Sequence, residues 1–209
     1  MARRPTQREN KIIDSLMTLV ARQGWLATTL ADVAGETGES MAEIHARFGS
    51  KAGILLAFLD RLDAAVVAGF DKSAAGEPAR DRLFDVIMRR FDALKPYKDS
   101  VRVLGRELPR DPYASMAVWC HTQRTLNWML ETAHMGEGGC WKIFKAKGLG
   151  LIWGSTMNVW LRDDSEDQGR TMAHLDTQLR RADSFMRCVP GTGRKTRPEA
   201  PGPAAPVGT

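Results

Sequence analysis

A rhythm of glycines and hydroxyl residues near the start constrains this chain more than any other feature. Between Glu9 and Phe70, apolar residues recur at the three- and four-residue steps of a single helical face. Gly24, Gly38 and Gly49 interrupt that pattern, and Thr29, Ser40 and Ser50 restart it. A glycine just past the last turn ends a helix, and a hydroxyl that accepts an orphan amide begins the next. The spacing therefore predicts a helix from Glu9 to Gly24, apolar at Ile12, Ile13, Leu16, Leu19 and Val20. A short helix follows from Thr29, with Asp32 completing a capping box, and stops at Gly38. Ser40 starts another with Glu43 at its third position, and it runs to Phe48. Ser50 then caps a longer helix from Lys51 to Phe70.

Beyond Phe70, Ser73, Gly76 and Pro78 read as a linker. Helical patterns resume over 80–94, 97–108, 112–135, 140–162 and 168–188, punctuated by Pro96, Pro109, Pro112 and glycines at 136–139. No segment has the two-residue period of a strand, so the fold class is all-α. The expected organisation is a basic arm (1–8), a three-helix head (9–50), a connecting helix (51–70), a helical body (80–188) and a Gly-, Pro- and Ala-rich disordered tail (189–209).

Several classes of function are disfavoured. There is no phosphate-binding glycine loop, no nucleophile elbow and no zinc-protease signature, so no catalytic residue and no enzyme activity are expected. His121, His134 and His174 are scattered, and Cys120, Cys140 and Cys188 lack metal-ligand spacing, so neither a metal nor a cofactor is expected. The acidic run 163–167 reads as a solvated loop. No apolar run is long enough to span a bilayer and no secretory pattern opens the chain, which predicts a cytoplasmic protein.

The layout of the head, a short helix joined by a tight glycine turn to a second, is that of a helix-turn-helix. Its sequence from Gly24-Trp25-Leu26 through Thr28, Thr29, Leu30, Asp32 and Val33, with Gly38, Ser40, Ile44, Phe48, Ser50, Lys51 and Leu55, resembles the TetR family of regulators. The resemblance implies an operator DNA as partner. It places Ser40, Met41, Glu43, His45 and Arg47 toward bases, Thr28, Thr29 and Lys51 on the phosphate backbone, and Arg3, Arg4 and Arg8 on phosphates or the minor groove. The charges temper this expectation. The chain carries a net +5, but up to Phe70 eight basic residues meet eight acidic ones. Glu39, Met41, Glu43 and His45 depart from the family's usual residues and leave the reading helix poor in positive charge.

In TetR proteins the helical body pairs two chains and holds a ligand, so the resemblance also implies a homodimer and a small apolar or lipid-like ligand. Trp119, Trp128, Trp153, Met157 and Trp160 are the candidate ligand-binding residues, with Trp153 and Trp160 on one helical face. A second resemblance covers the body. The run from Trp153 to Ser165, with Thr171, Leu175, Asp176, Leu179 and Arg180, and the region Leu83–Leu104 are similar to TetR-fold accessory proteins of ubiquinone biosynthesis. That likeness implies, as the alternative function, binding of a lipid or quinone precursor beneath a vestigial head.

Overall fold

Capping chemistry and helical apolar spacing give nine α-helices among the described residues, 5–69, 77–132 and 139–188, in a computed structural model of the chain. They are α1 (Gln7–Gln23), α2 (Leu30–Thr37), α3 (Met41–Phe48), α4 (Lys51–Ala68), α5 (Ala79–Leu94), α6 (Lys98–Glu107), α7 (Pro112–Thr132), α8 (Gly139–Trp160) and α9 (Gly169–Cys188). No strand occurs among the described residues. None of these helices is long and apolar enough to cross a membrane. Arg3, Arg4 and the tail lie outside the described residues.

The predicted caps are in place. Thr29, Ser40 and Ser50 each accept an amide at the start of α2, α3 and α4, with Asp32 and Glu43 returning the bond in the first two. One start falls earlier than expected. Thr6 caps α1 and Glu9 closes a capping box with it, so the helix begins at Gln7. The expected helix over 97–108 is shortened as well. Pro96 and Pro109 sit in tight single turns, Lys95–Tyr97 and Leu108–Arg110, where their missing N–H does no harm.

Ile12, Ile13, Leu16 and Val20 of α1 meet Val33 of α2, Ile44 of α3 and Ile54, Leu55 and Phe58 of α4 in a buried head core. Burial of such side chains stabilises by roughly 1.5–3 kcal/mol each. In the body, α5 packs against α4, α7 and α9, and α8 packs along both α7 and α9. Phe91 of α5 carries two tryptophans of α8, Trp153 stacked at 4.9 Å and Trp160 tilted at 5.5 Å between ring centroids.

Head and body are stitched by α6 and the turn after it. Ser100 Oγ donates to the carbonyl of Met17 (2.8 Å), Leu26 N–H to Glu107 Oε2 (3.0 Å) and Trp25 Nε1–H to Asp111 Oδ2 (3.0 Å). On α4, Arg61 reaches Asn10 (3.1 Å) and Asp14 (2.6 Å) of α1 and the Tyr97 hydroxyl (3.0 Å). One element thus touches the first helix of the head and the entry to α6.

The acidic run is only partly the solvated loop that was expected. Asp163 is buried, and its carboxylate accepts from Thr171 N–H (2.8 Å), Thr171 Oγ (2.7 Å) and Ser165 Oγ (2.5 Å). It fastens the loop before α9 onto that helix's first turn, where negative charge is favoured. Burial works to raise its pKa, but the Ser165 and Thr171 donors outweigh it and hold the carboxyl far below the usual range. Asp163→Ala is expected to cost about 2–4 kcal/mol in chemical denaturation, because Thr171 loses its buried acceptor. The sign with pH follows from the lowered value. The contribution is complete above the unfolded aspartate value, about pH 4, and fades as pH falls below it toward the folded value. The variant's acid-denaturation curve should lack that component.

Candidate nucleic-acid interface

The interface is built on α3, and a single buried side chain seats it. Ile44 is fully buried in the head core, while Met41, Ala42, Glu43, His45, Ala46 and Arg47 face outward. The turn before it is fixed from both sides. Gly38 takes the left-handed conformation (φ 73°) that glycine adopts without strain, and its N–H closes on the Ala34 carbonyl at 2.8 Å. Lys11 Nζ donates to the last carbonyl of α2, that of Thr37, at 2.7 Å. The far end of α3 rests directly on α4. A Cβ placed on Gly53 would lie 1.8 Å from the Phe48 carbonyl oxygen, so the turn from α3 into α4 leaves room there for hydrogen alone.

Electrostatics on this face are mixed. Glu43 Oε2 accepts from Ser40 N–H (3.2 Å) and Oγ (2.9 Å). These bonds lower its pKa, with Arg8 and Arg47 adding to the effect. The negative charge that makes the reading helix look hostile to DNA is therefore engaged as its N-terminal cap. Arg47 of α3 and Arg8 of α1 line one surface recess with Thr6, Gln7 and Glu9. Both side chains are exposed there.

Two expected backbone contacts are placed otherwise. Thr28 is buried, and its hydroxyl donates to the Gly24 carbonyl at 2.6 Å. Lys51 points inward, donating to the carbonyls of Trp25 (2.5 Å) and Thr28 (2.7 Å), with Nζ 4.3 Å from the Trp25 ring centroid. Partial burial lowers its pKa against the pull of Asp111, Glu107 and Asp32. The two residues thus hold the turn instead of presenting groups to a phosphate. Thr29 and Ser40 remain exposed as caps, and His45 remains exposed on α3. Gly53, Lys11 and Gln7 were not among the expected residues. A glycine within an apolar helical pattern is the one signal that could have marked Gly53 as a close approach.

A short exposed helix, set by a glycine turn on a three-helix support, defines a helix-turn-helix domain. Residues 12–58 match the model of the family "Bacterial regulatory proteins, tetR family". The head is a TetR-family domain, and the chain as a whole has the TetR fold. It is 26% identical over 104 residues to the uncharacterized HTH-type transcriptional regulator YerO of Bacillus subtilis (strain 168), a match covering 48% of this chain and 36% of that protein. Among solved structures, a TetR transcriptional regulator from Nitrosomonas europaea ATCC 19718 superposes with a TM-score of 0.71 at 24% identity, covering 86% of this chain and 99% of its own. Another from Rhodococcus sp. RHA1 gives 0.58 at 16%, covering 82% and 95%. These matches are to regulators and lend no support to the likeness with ubiquinone-biosynthesis accessory proteins.

The body holds a cavity of about 370 Å³ between α4, α5, α6, α7 and α8. Of the expected ligand-binding residues, Trp119, Trp153 and Met157 line it. Trp160 and Trp128 do not. Trp160 is turned into the core, where its Nε1–H donates to Gln168 Oε1 at 2.9 Å, and Trp128 packs against that core half-buried.

Proposed function

We propose that this chain is a DNA-binding transcriptional regulator that works as a homodimer and responds to a small apolar ligand in its body. The observation that carries the reading is α3: an exposed helix held at both ends, with Ile44 buried and Phe48 packed half-buried to seat it. Such a helix enters a major groove with its first residues toward base edges. Met41, Ala42 and His45 are the groups available for bases, with Arg47, Arg8 and the arm residues Arg3 and Arg4 on phosphates. Thr29 and Ser40 lie at the helix starts, where amides and hydroxyls meet backbone oxygens. Thr28 and Lys51 contribute by fixing the turn.

Pairing is supported by an exposed stripe on α8, where Leu151 is 77% exposed beside Gly148 and Gly154, and by Phe185 of α9, 67% exposed. Two-fold pairing through this face would present two heads to neighbouring groove turns. Light scattering on the full chain should give twice the 23.2 kDa chain mass.

The test is titration of the full chain against DNA from upstream of its own gene at several salt concentrations. Specific binding is expected, with Arg47→Ala weakening it on all sequences and reducing the log–log salt slope by about one. Absence of binding to any fragment at low salt would defeat the proposal.

A further inference from the structure

The cavity in the body is lined almost wholly by carbon. Its walls are leucines, Phe58, Val101, Val118, Met129, Met157, Trp119 and Trp153, with three hydroxyl residues and one charged one, Arg90, among the described residues. The hydroxyl protons are already committed. Ser115 donates to the Leu108 carbonyl (2.5 Å), Thr122 to the Val118 carbonyl (2.8 Å) and Thr125 to Asp63 Oδ2 (2.7 Å). Besides the indole N–H groups of Trp119 and Trp153, the guanidinium is the one charged donor among the described lining residues.

Arg90 is an unusual residue to find there. Only 6% of its side chain is exposed, and the guanidinium carbon lies 5.6 Å from the Trp153 ring centroid. It is paired through Nη1 with Asp63 of α4. Asp63 itself does not line the cavity. A guanidinium carries five N–H donors in a planar fork, so one carboxylate partner leaves capacity for another. A guanidinium set into an apolar wall, with its carboxylate partner outside the lining and N–H donors to spare, disfavours cationic ligands and favours an acceptor with negative charge.

We infer that the cavity binds an apolar monocarboxylate, its hydrocarbon body among the leucines and tryptophans and its carboxylate on Arg90. The inference rests on reading the body as the ligand-binding half of a regulator, and it names the ligand's chemical class. The acid would share Arg90 with Asp63. Asp63 stands on α4, the helix whose first residue, Lys51, grips the turn of the head. Ligand occupancy therefore weakens an ion pair on the element that carries the reading helix, and that differential contact is what an effector needs.

The experiment is calorimetric titration of the full chain, without DNA, using decanoate, decanol and decylamine. These probes share a chain and differ in the head group. Decanoate should bind at least about tenfold more tightly than decanol, the order a charge-assisted hydrogen bond supplies, and decylamine should not bind. Arg90→Gln should abolish the difference between acid and alcohol. Because that variant strands Asp63, Arg90→Gln/Asp63→Asn is titrated beside it with its circular dichroism matched to the native chain. Equal affinity for acid and alcohol, binding of none of the three, or a preference that survives in the folded double variant would overturn the inference. DNA titration is separate. Arg90-dependent acid binding without DNA binding would keep this inference and remove the regulator. DNA binding with no preference for the acid would do the reverse.

Discussion

Gly53→Ala should be among the most damaging single-methyl changes this chain can suffer. The added carbon would sit 1.8 Å from the carbonyl oxygen of Phe48. The obstacle is backbone, so no side chain can rotate out of the way. Either the last turn of α3 lifts from α4 or the first turn of α4 unwinds, and Ser50 loses its hold on Gly53 N–H (3.1 Å) in the second case. We expect a loss of at least about 3 kcal/mol in urea denaturation, the range of severe overpacking. Operator binding should fall further than stability does, because the displaced element is the reading helix itself. Gly35→Ala is the control. Gly35 lies within α2 with nothing within 4 Å of a new Cβ. There the same methyl should stabilise by about 0.5–1 kcal/mol through helix propensity. If both variants behave alike, the turn from α3 into α4 is looser than its geometry states.

Trp25→Ala should be the largest loss among the core substitutions of the head. The indole is fully buried between α1 and the turn after α6, and three interactions converge on the residue. Its Nε1–H donates to Asp111, its ring lies under the Lys51 ammonium, and its carbonyl accepts from the same ammonium. Removing the ring leaves a cavity, an acceptor without its donor and a cation without its aromatic face. A cost of about 3–5 kcal/mol is expected. Trp25→Phe separates the parts. It keeps most of the apolar area and the ring face but deletes the N–H, and should cost only about 1–2 kcal/mol. Equal losses for the two variants would mean that the bond to Asp111, and not packing, is what seats the residue.

What the sequence disclosed and what it hid divide along chain distance. Thr29 with Asp32 and Ser40 with Glu43 could be read directly, because a cap is chemistry between residues three apart. The glycine stops at 24, 38 and 49 were equally local. Trp25 and its partner Asp111 are 86 residues apart, and nothing near either residue points to the other. The family resemblance places Thr28 and Lys51 on phosphate, and both bear polar ends. Their direction depends on unpaired carbonyls that exist only once the turn has formed. Trp153 and Trp160 share a helical face, yet one borders the cavity and the other is core, since Gln168 claims the second indole. The type of residue at 43 suggests repulsion of a polyanion, whereas its carboxylate is bonded to Ser40.

The seam between α1 and α6 has a consequence for how such a protein can be taken apart. Met17, Leu26 and Trp25 all depend on partners from Ser100 to Asp111, far beyond the end of α4. A fragment cut after the fourth helix would expose the Trp25 indole N–H and the flank of α1 to water, and would lose the acceptors that fix the approach to α2. The helix-turn-helix head is therefore not a detachable cartridge. A chimaera that lends this head to another body would have to carry α6 and its following turn along with it, or supply a glutamate and an aspartate in their place.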